Sequence, residues 1–597
     1  MSVATKLADF KVFAARTWAL AQPYFSSEDK WKARGMLLAI IALNLAMVYM
    51  AVLFNAWNKL FYDALQNKDS VVFWAQLGRF AYLAFGFIVL AVYKFYLTQL
   101  LEMRWRGWMT AHYLERWLSG QNFYKLELMR FVGGKNADAA NPDNPDQRIQ
   151  EDINLFTAYT VSLSMGLLNA VVTLASFVGI LWGLSGSFAF TFGGQDFTIP
   201  GFMVWMAVLY SLAGSVLTHY IGRPQIKLNF NQQRLEADFR HHMVRVREYS
   251  EAIALDRGEA VERGQLDSRF SHVLGNYLAL IKAKKNLIWF TSFYGQAAVV
   301  FPFIVAAPRF FSGAIQLGEL MQISSAFGRV QDALSWFVDS YPSLASWRAT
   351  TDRLTNFEAS FQAIKDRARA PDALVVVPSA VGPDKRASLK AEGLTIRLPN
   401  GDTLLAGAQL AAQPGESILL QGPSGSGKST LFRAIAGVWP YAQGAVERPM
   451  DTMFVAQRPY FPNGPLREAL AYPSEHKLFN DDALKDALRQ AQLPDLVERL
   501  DDVAAWGQTL SGGEQQRLAI ARVFLKKPAW VFADEATSAM DEATEQAVYT
   551  SLLEHVRQWG GSLVSIAHRP SVAQHHQRQW VLQASGVPGG ARYTLKP

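Results

Sequence analysis

The 597-residue chain has no cysteine. Disulfides, thiolate metal sites and thiol nucleophiles are therefore excluded. Charge is scarce too, at 18% Asp, Glu, Lys and Arg against 50% apolar residues. That average conceals a division: roughly the first 350 residues carry long uncharged runs, and the remainder has an ordinary globular balance. The N-terminus shows no short apolar core with a small-residue cleavage site, so no removable signal peptide is expected. Internal repeats and low-complexity tracts are also missing.

Basic residues are absent from particular places. A helix crossing the bilayer core needs about 20 largely apolar residues. Six such stretches are expected, at 36–57, 71–97, 157–184, 200–222, 287–307 and 317–340. The loops 58–70, 185–199 and 308–316 hold only Lys59, Lys68 and Arg309. Segments 1–35, 98–154 and 223–286 hold 6, 7 and 12 Lys and Arg. This asymmetry puts the long segments and both termini in the cytoplasm. It also accounts for the formal net charge of +7, so a nucleic-acid partner is not expected.

Residues 1–35 read as an amphipathic segment on the membrane surface, and 36–359 as the transmembrane domain. Leu101–Leu126 and Phe230–Ala254 mix apolar and charged residues at helical spacing, as cytoplasmic extensions of the spans. Asn141-Pro142-Asp143-Asn144-Pro145-Asp146 has the punctuation of a turn before a helix start. Residues 360–392 form a polar linker. From 393 to 597, strands (394–398, 417–421, 452–456, 529–534, 562–567) alternate with helices (428–437, 512–526, 542–558). That alternation predicts an α/β domain on a largely parallel sheet.

The chemistry concentrates there. Gly422-Pro423-Ser424-Gly425-Ser426-Gly427-Lys428-Ser429 fits the phosphate-loop pattern, with Thr430 next, and joins strand 417–421 to a helix. Backbone N–H groups and the helix N-terminus would face phosphate oxygens. Lys428 would reach the β- and γ-phosphates, and the Ser429 hydroxyl would ligate Mg²⁺. Asp534 ends an apolar strand, where a carboxylate can hold Mg²⁺ directly or through water. Glu535 beside it is placed to orient and deprotonate a water. Ser511-Gly512-Gly513 opens a second helix whose N-terminus attracts anions. Gln457 ends one apolar run, and His568 follows another. His241-His242 and His575-His576 lack a ligand-spaced partner set and read as surface residues.

In this fixed order the motifs resemble the ATP-binding cassette of ABC transporters. The resemblance implies that Ser538–Asp541 is the D-loop of these cassettes, with Asp541 in the nucleotide site. It implies that His568 contacts the γ-phosphate, and that Gln457 senses Mg²⁺ and the attacking water. It also implies that Ser511–Gly513 closes over ATP held by a second copy of the chain. One set of motifs and six spans resembles a half-transporter that pairs with itself. A departure stands at Leu398, where such cassettes often carry an aromatic residue that stacks on adenine.

The membrane half narrows the resemblance. Phe61-Tyr62-Asp63-Ala64-Leu65-Gln66, Arg104-Trp105-Arg106, Asn144–Ile149 with Glu151-Asp152, Leu334-Ser335-Trp336-Phe337 and Trp439-Pro440-Tyr441 are similar to the BacA/SbmA-related bacterial transporters. That branch is related to the peroxisomal fatty-acyl half-transporters. It implies an exporter-type ABC fold, an α-helical membrane domain of six transmembrane helices followed by an α/β P-loop cassette. It also implies a bacterial inner membrane location and contact segments at Asn141–Asp152 and Glu251–Ala254. Members are associated with uptake of cobalamin, antimicrobial peptides and other hydrophilic compounds. Export of an amphipathic or acyl cargo, and a non-pumping ATP-gated channel, stay open as alternatives. Asn44, Arg79, Lys94, His219, Gln322, Arg329 and Asp332 are costly against lipid and should face a cavity or each other.

Overall fold

The computed structural model describes residues 3–129, 131, 144–185, 187–192, 195–379, 387–586 and 590–596. It divides into two compact units, Met1–His112 with Ile149–Leu354 and Tyr113–Arg148 with Thr355–Pro597.

The first unit is helical apart from one hairpin among the described residues, Ser187–Phe192 with Gln195–Pro200. Lys30–Gln66, Ser70–Met129, Pro145–Ser185, Phe202–Glu248 and Glu259–Phe311 are long and apolar enough to cross a membrane. The sixth expected span is helix Leu317–Asp339. Gln322, Arg329, Gln331 and Asp332 keep it out of that set, yet it packs against Lys30–Gln66, Ile153–Ser185, Phe202–Glu248 and Glu259–Phe311. Leu320, Ile323, Ala326, Phe327 and Val330 face those neighbours and are buried with Phe177, Leu181 and Ala306. A helix wrapped by other helices needs an apolar stripe, not an apolar circumference. His219, Arg329 and Asp332 lie on exposed faces.

The Phe61–Gln66 motif has a structural use. Gln66 Oε1 accepts the backbone N–H of Leu317 at 2.6 Å, and Asp63 Oδ1 accepts that of Gly318 at 2.9 Å. Two of the orphan donors that open the sixth helix are thereby satisfied by the first span. Lys59 pairs with Glu319 at 2.7 Å. A Cβ at Gly318 would collide with the Lys59 carbonyl, so the approach needs glycine. Other polar residues in the spans also find partners. Lys94 Nζ donates to Asn44 Oδ1 at 2.6 Å, and Asn44 Nδ2 donates to the Met165 carbonyl at 3.2 Å.

The expected extension Leu101–Leu126 is interrupted. Helix Ser70–Leu118 gives way to a turn at Ser119–Gln121, where Gly120 has φ 56°, before helix Asn122–Met129. Phe230–Ala254 is likewise divided, between Phe202–Glu248 and Ser250–Leu255. Of the turn at 141–152, residues 141–143 lie outside the described residues. Its remainder runs from Asn144 through Pro145–Gln147 into helix Ile153–Ser185.

The second unit is built on a ten-stranded sheet. Five strands form its parallel heart: Arg578–Ala584, Ser417–Gln421, Ser562–Ile566, Trp530–Asp534 and Thr452–Val455. Ile418–Leu420, Trp530–Ala533 and all of Ser562–Ile566 are buried, and a strand covered on both faces reads as a continuous apolar run. The expected strands and helices are present. Sequence reading placed strand 394–398 but missed the antiparallel part it belongs to, in which Leu389–Arg397 pairs with Thr403–Ala412 and Ala442–Arg448. Within 360–392, Val375–Pro378 pairs with Ala442–Arg448 in parallel.

The histidine pair expected at the surface departs from that reading. The His576 ring bridges Ser417 Oγ at 2.8 Å and the Tyr549 hydroxyl at 2.6 Å, and Tyr549 also bonds Ser565. One neutral imidazole thus ties two central strands to helix Glu542–Gln558. Burial pushes the His576 pKa down to about 4, with His575 adding to the shift. The unfolded chain then binds the proton first as pH falls below the ordinary histidine value. Stability is retained above about pH 6.5 and lost toward pH 4, by about 2 kcal/mol at pH 5. Thermal melts at pH 7 and pH 5 should show that loss, and His576→Gln, which cannot titrate, should flatten it. An unchanged pH dependence in the variant would overturn the assignment.

Candidate active site

Register fixes where the loops emerge. Asp534 aligns with Ile566, and Ile566 with Leu420, so three parallel strands end along one edge of the sheet. The phosphate loop, Glu535 and His568 leave that edge together. In a parallel sheet the carboxyl ends of the strands are where ligands bind.

In the phosphate loop, Gly427 has φ 89° and caps helix Lys428–Ile435. A Cβ there would strike Leu404, so both the backbone angle and the space require glycine. Ser424 and Gly425 form the exposed tip, while Ser426 is buried and its Oγ has no hydrogen-bond partner among the described residues. Lys428 is 6% exposed, and its Nζ donates to the carbonyls of Gly422 and Pro423 at 3.0 Å each. Burial lowers its pKa, and Glu535 and Asp534 oppose that shift. A positive, amide-lined cradle at a helix N-terminus fits phosphate. Thr430 lies half-buried in the first turn of that helix.

Ser429 Oγ donates to Asp534 Oδ1 at 3.1 Å. Burial raises the Asp534 pKa, the Ser429 hydrogen bond opposes this, and Glu535 adds to it. Glu535 has φ 48°, a left-handed conformation that costs a non-glycine residue energy. Its N–H donates to the Ile566 carbonyl at 3.0 Å, which fixes the turn. Gln457 Nε2 donates to Glu535 Oε2 at 2.7 Å, and His568 Nε2 stands 3.2 Å from Oε1. Three residues expected from distant motifs therefore meet on one carboxylate. Ser429 and Asp534 supply hard oxygen ligands suited to Mg²⁺. Among the described residues no group of three or more His, Cys, Asp or Glu could hold a metal alone, so phosphate and water would complete the shell.

The other predicted residues are not brought to this carboxylate. Ser511 caps helix Gly512–Lys526 in a capping box with Glu514, whose Oε2 accepts from Ser511 N at 2.9 Å and Oγ at 2.7 Å. Among the described residues no hydrogen bond joins Ser511, Gly512 or Gly513 to Lys428, Asp534 or Glu535. The two glycines instead lie against Ala539. Asp541 caps helix Glu542–Gln558, accepting from Thr544 N at 2.9 Å. Leu398 is half-buried on the sheet core, at the turn closed by Gly401 and Asp402.

Sequence reading missed Gln516. It is buried, and Nε2 donates to the carbonyls of Gln457 and Glu535 at 3.3 Å and to Ser538 Oγ at 3.2 Å. Its Oε1 accepts Ala539 N at 2.9 Å. A signal existed: Gln516, Ala519, Ile520 and Val523 share one face of helix Gly512–Lys526, and a Gln in a buried apolar stripe must find partners. Gln516→Leu keeps the stripe and leaves those partners unsatisfied, worth roughly 1–3 kcal/mol. ATP turnover should fall about tenfold with KM for ATP little changed. Steady-state kinetics in lipid discs check this, and wild-type turnover would refute it.

Two family matches partition the chain: ABC transporter transmembrane region 2 over residues 20–311, and ABC transporter over residues 405–538. The Escherichia coli inner membrane ABC transporter ATP-binding protein YddA is 32% identical over 566 residues, covering 94% of this chain and 96% of YddA. The human lysosomal cobalamin transporter ABCD4 is 25% identical over 606 residues, covering 95% and 93%. In fold, the chain is similar to a bacterial Atm1-family ABC exporter with ATP bound, with TM-score 0.67 and 18% identity over 92% and 93% of the two chains. A membrane-spanning region and an ATPase cassette fused in one polypeptide make the chain an ABC half-transporter of the ABCD type, a member of the ABC transporter family.

Proposed function

We propose that two copies of the chain form a transporter that closes over two ATP molecules and takes up hydrophilic or peptide-like compounds, cobalamin among them. The observation that carries the dimer is the separation described above. Each chain has one phosphate loop beside Glu535 and one anion-attracting helix start at Ser511–Gly513, and no hydrogen bond joins them among the described residues. A second copy supplies the missing half of each site, with Asp541 beside it.

In that dimer the loop Gly422–Ser429 with Thr430 binds the phosphates of ATP, and Lys428 neutralises their charge. Ser429, Asp534 and Gln457 would hold Mg²⁺, which would supply positive charge beside the transferred phosphoryl group. Glu535 is the general base, oriented by Gln457 and by His568, which faces the γ-phosphate. The cassettes and both termini lie in the cytoplasm of a bacterial inner membrane, as the distribution of Lys and Arg supports. A gated channel would need nucleotide binding but no hydrolytic set, so the Gln457–Glu535–His568 cluster favours a pump.

Glu535→Gln retains the hydrogen-bonding shape but cannot take a proton. It should bind ATP with little turnover and hold the dimer closed, and undiminished hydrolysis would remove Glu535 from the role of base. The cargo and its direction need a separate test. Right-side-out vesicles given ATP inside should accumulate labelled cobalamin or peptide. Export is the second reading, favoured by the likeness to an Atm1-family exporter. Accumulation in inverted vesicles alone would establish it in place of uptake.

A further inference from the structure

A second buried carboxylate lies behind the site. Glu545, on helix Glu542–Gln558, is 2% exposed, and among the described residues its carboxylate bonds none of those assigned to ATP. Its Oε1 accepts the Thr537 hydroxyl at 2.7 Å. Its Oε2 accepts Arg569 Nη1 at 3.1 Å and the Ser571 hydroxyl at 3.3 Å. Arg569 Nη1 also donates to the Met540 carbonyl at 3.1 Å. Thr537 and Met540 flank Ser538 and Ala539, in the stretch that runs on from Glu535. Arg569 directly follows His568, and Ser571 lies two residues further on. One carboxylate therefore fastens the segment leaving the proposed base to the segment carrying the histidine that contacts it.

A buried carboxylate is costly unless its lone pairs are filled, and here three side-chain donors fill them. Helix packing alone does not account for the choice. Val548, Leu552 and Val556 already give Glu542–Gln558 an apolar buried face, and an apolar residue at 545 would extend it. What an apolar residue could not do is hold two loops in a fixed relation. The His568–Glu535 approach is set by the positions of both loops. His568 is itself 51% exposed, so packing does not hold its ring in place.

We infer that Glu545 is a positioning residue for ATP hydrolysis: it locks the Thr537–Met540 loop to the His568–Ser571 loop, so that movement of one is transmitted to the other. Glu545 is not the base and meets no nucleotide. It acts through Arg569 and Thr537 on the spacing between His568 and Glu535.

The test uses the full chain in lipid discs, with kcat, KM for ATP and melting temperature measured on each variant. Glu545→Gln keeps the shape but gives up the ion pair. It should lower kcat about tenfold and leave KM within about threefold, because the phosphate loop is untouched. Arg569→Lys retains a positive charge at the carboxylate but loses the fork that also holds Met540. It should give the same split, and it serves where Glu545→Gln does not fold. Thr537→Val and Arg569→Lys belong to different loops, so their combination should lose less than the product of the single effects. Three results would each overturn the proposal. One is an unchanged kcat. Another is a loss of kcat in step with KM and melting temperature, which marks a purely structural residue. The third is single effects that multiply, which would mean the two loops act independently.

Discussion

A carboxylate can be aimed to within an ångström only if the backbone beneath it has nowhere else to go. In this cassette that constraint comes from the parallel strands Ser417–Gln421, Trp530–Asp534 and Ser562–Ile566, which are buried on both faces and end in register. The phosphate loop, Glu535 and His568 all leave their common edge. Glu535 leaves it in a left-handed conformation that an unsupported chain would relax. The Ile566 carbonyl, Gln457, His568 and Gln516 each hold part of that turn. The sheet supplies the stiffness, and a handful of buried polar side chains convert it into geometry.

Legibility followed periodicity and motif spacing. The parallel strands and the helices at 428, 512 and 542 were readable because continuous apolar runs ended at glycine-rich or acidic signals. The antiparallel strands Leu389–Arg397, Thr403–Ala412 and Ala442–Arg448 were less so. Their alternation is broken by register shifts near Leu394 and Ile396, and a bulge disrupts the two-residue period on which such reading depends. The helical extension past Leu101 was read as one piece because Gly120 is a single residue in an otherwise good pattern. Its positive φ ends the helix all the same.

The site shows the same limit from another side. Motif residues could be named as candidates, because phosphate chemistry demands such residue types at fixed spacing. Residues acting at one remove could not. Gln516 shows only as a polar residue in an apolar helical stripe and Glu545 carries no motif spacing, and only the fold brings Gln457, Ser538 and Arg569 to them. His576 reads as one of two polar histidines near the C-terminus until strand Ser417–Gln421 is laid beside it. Ser511 and Asp541 have a double character: both are helix caps within this chain, whatever further partner they meet.

The membrane half carries a comparable lesson about motifs. Phe61–Gln66 is a family marker in sequence, but in space it is the cap of another helix. Asp63, Gln66 and the Lys59–Glu319 pair pin the start of Leu317–Asp339 to the end of Lys30–Gln66. A rod nailed at one end does not slide along its axis; it swings. Any rearrangement of the last membrane helix must then be smallest at this anchorage and grow toward the opposite end, where helix Tyr341–Ala368 begins.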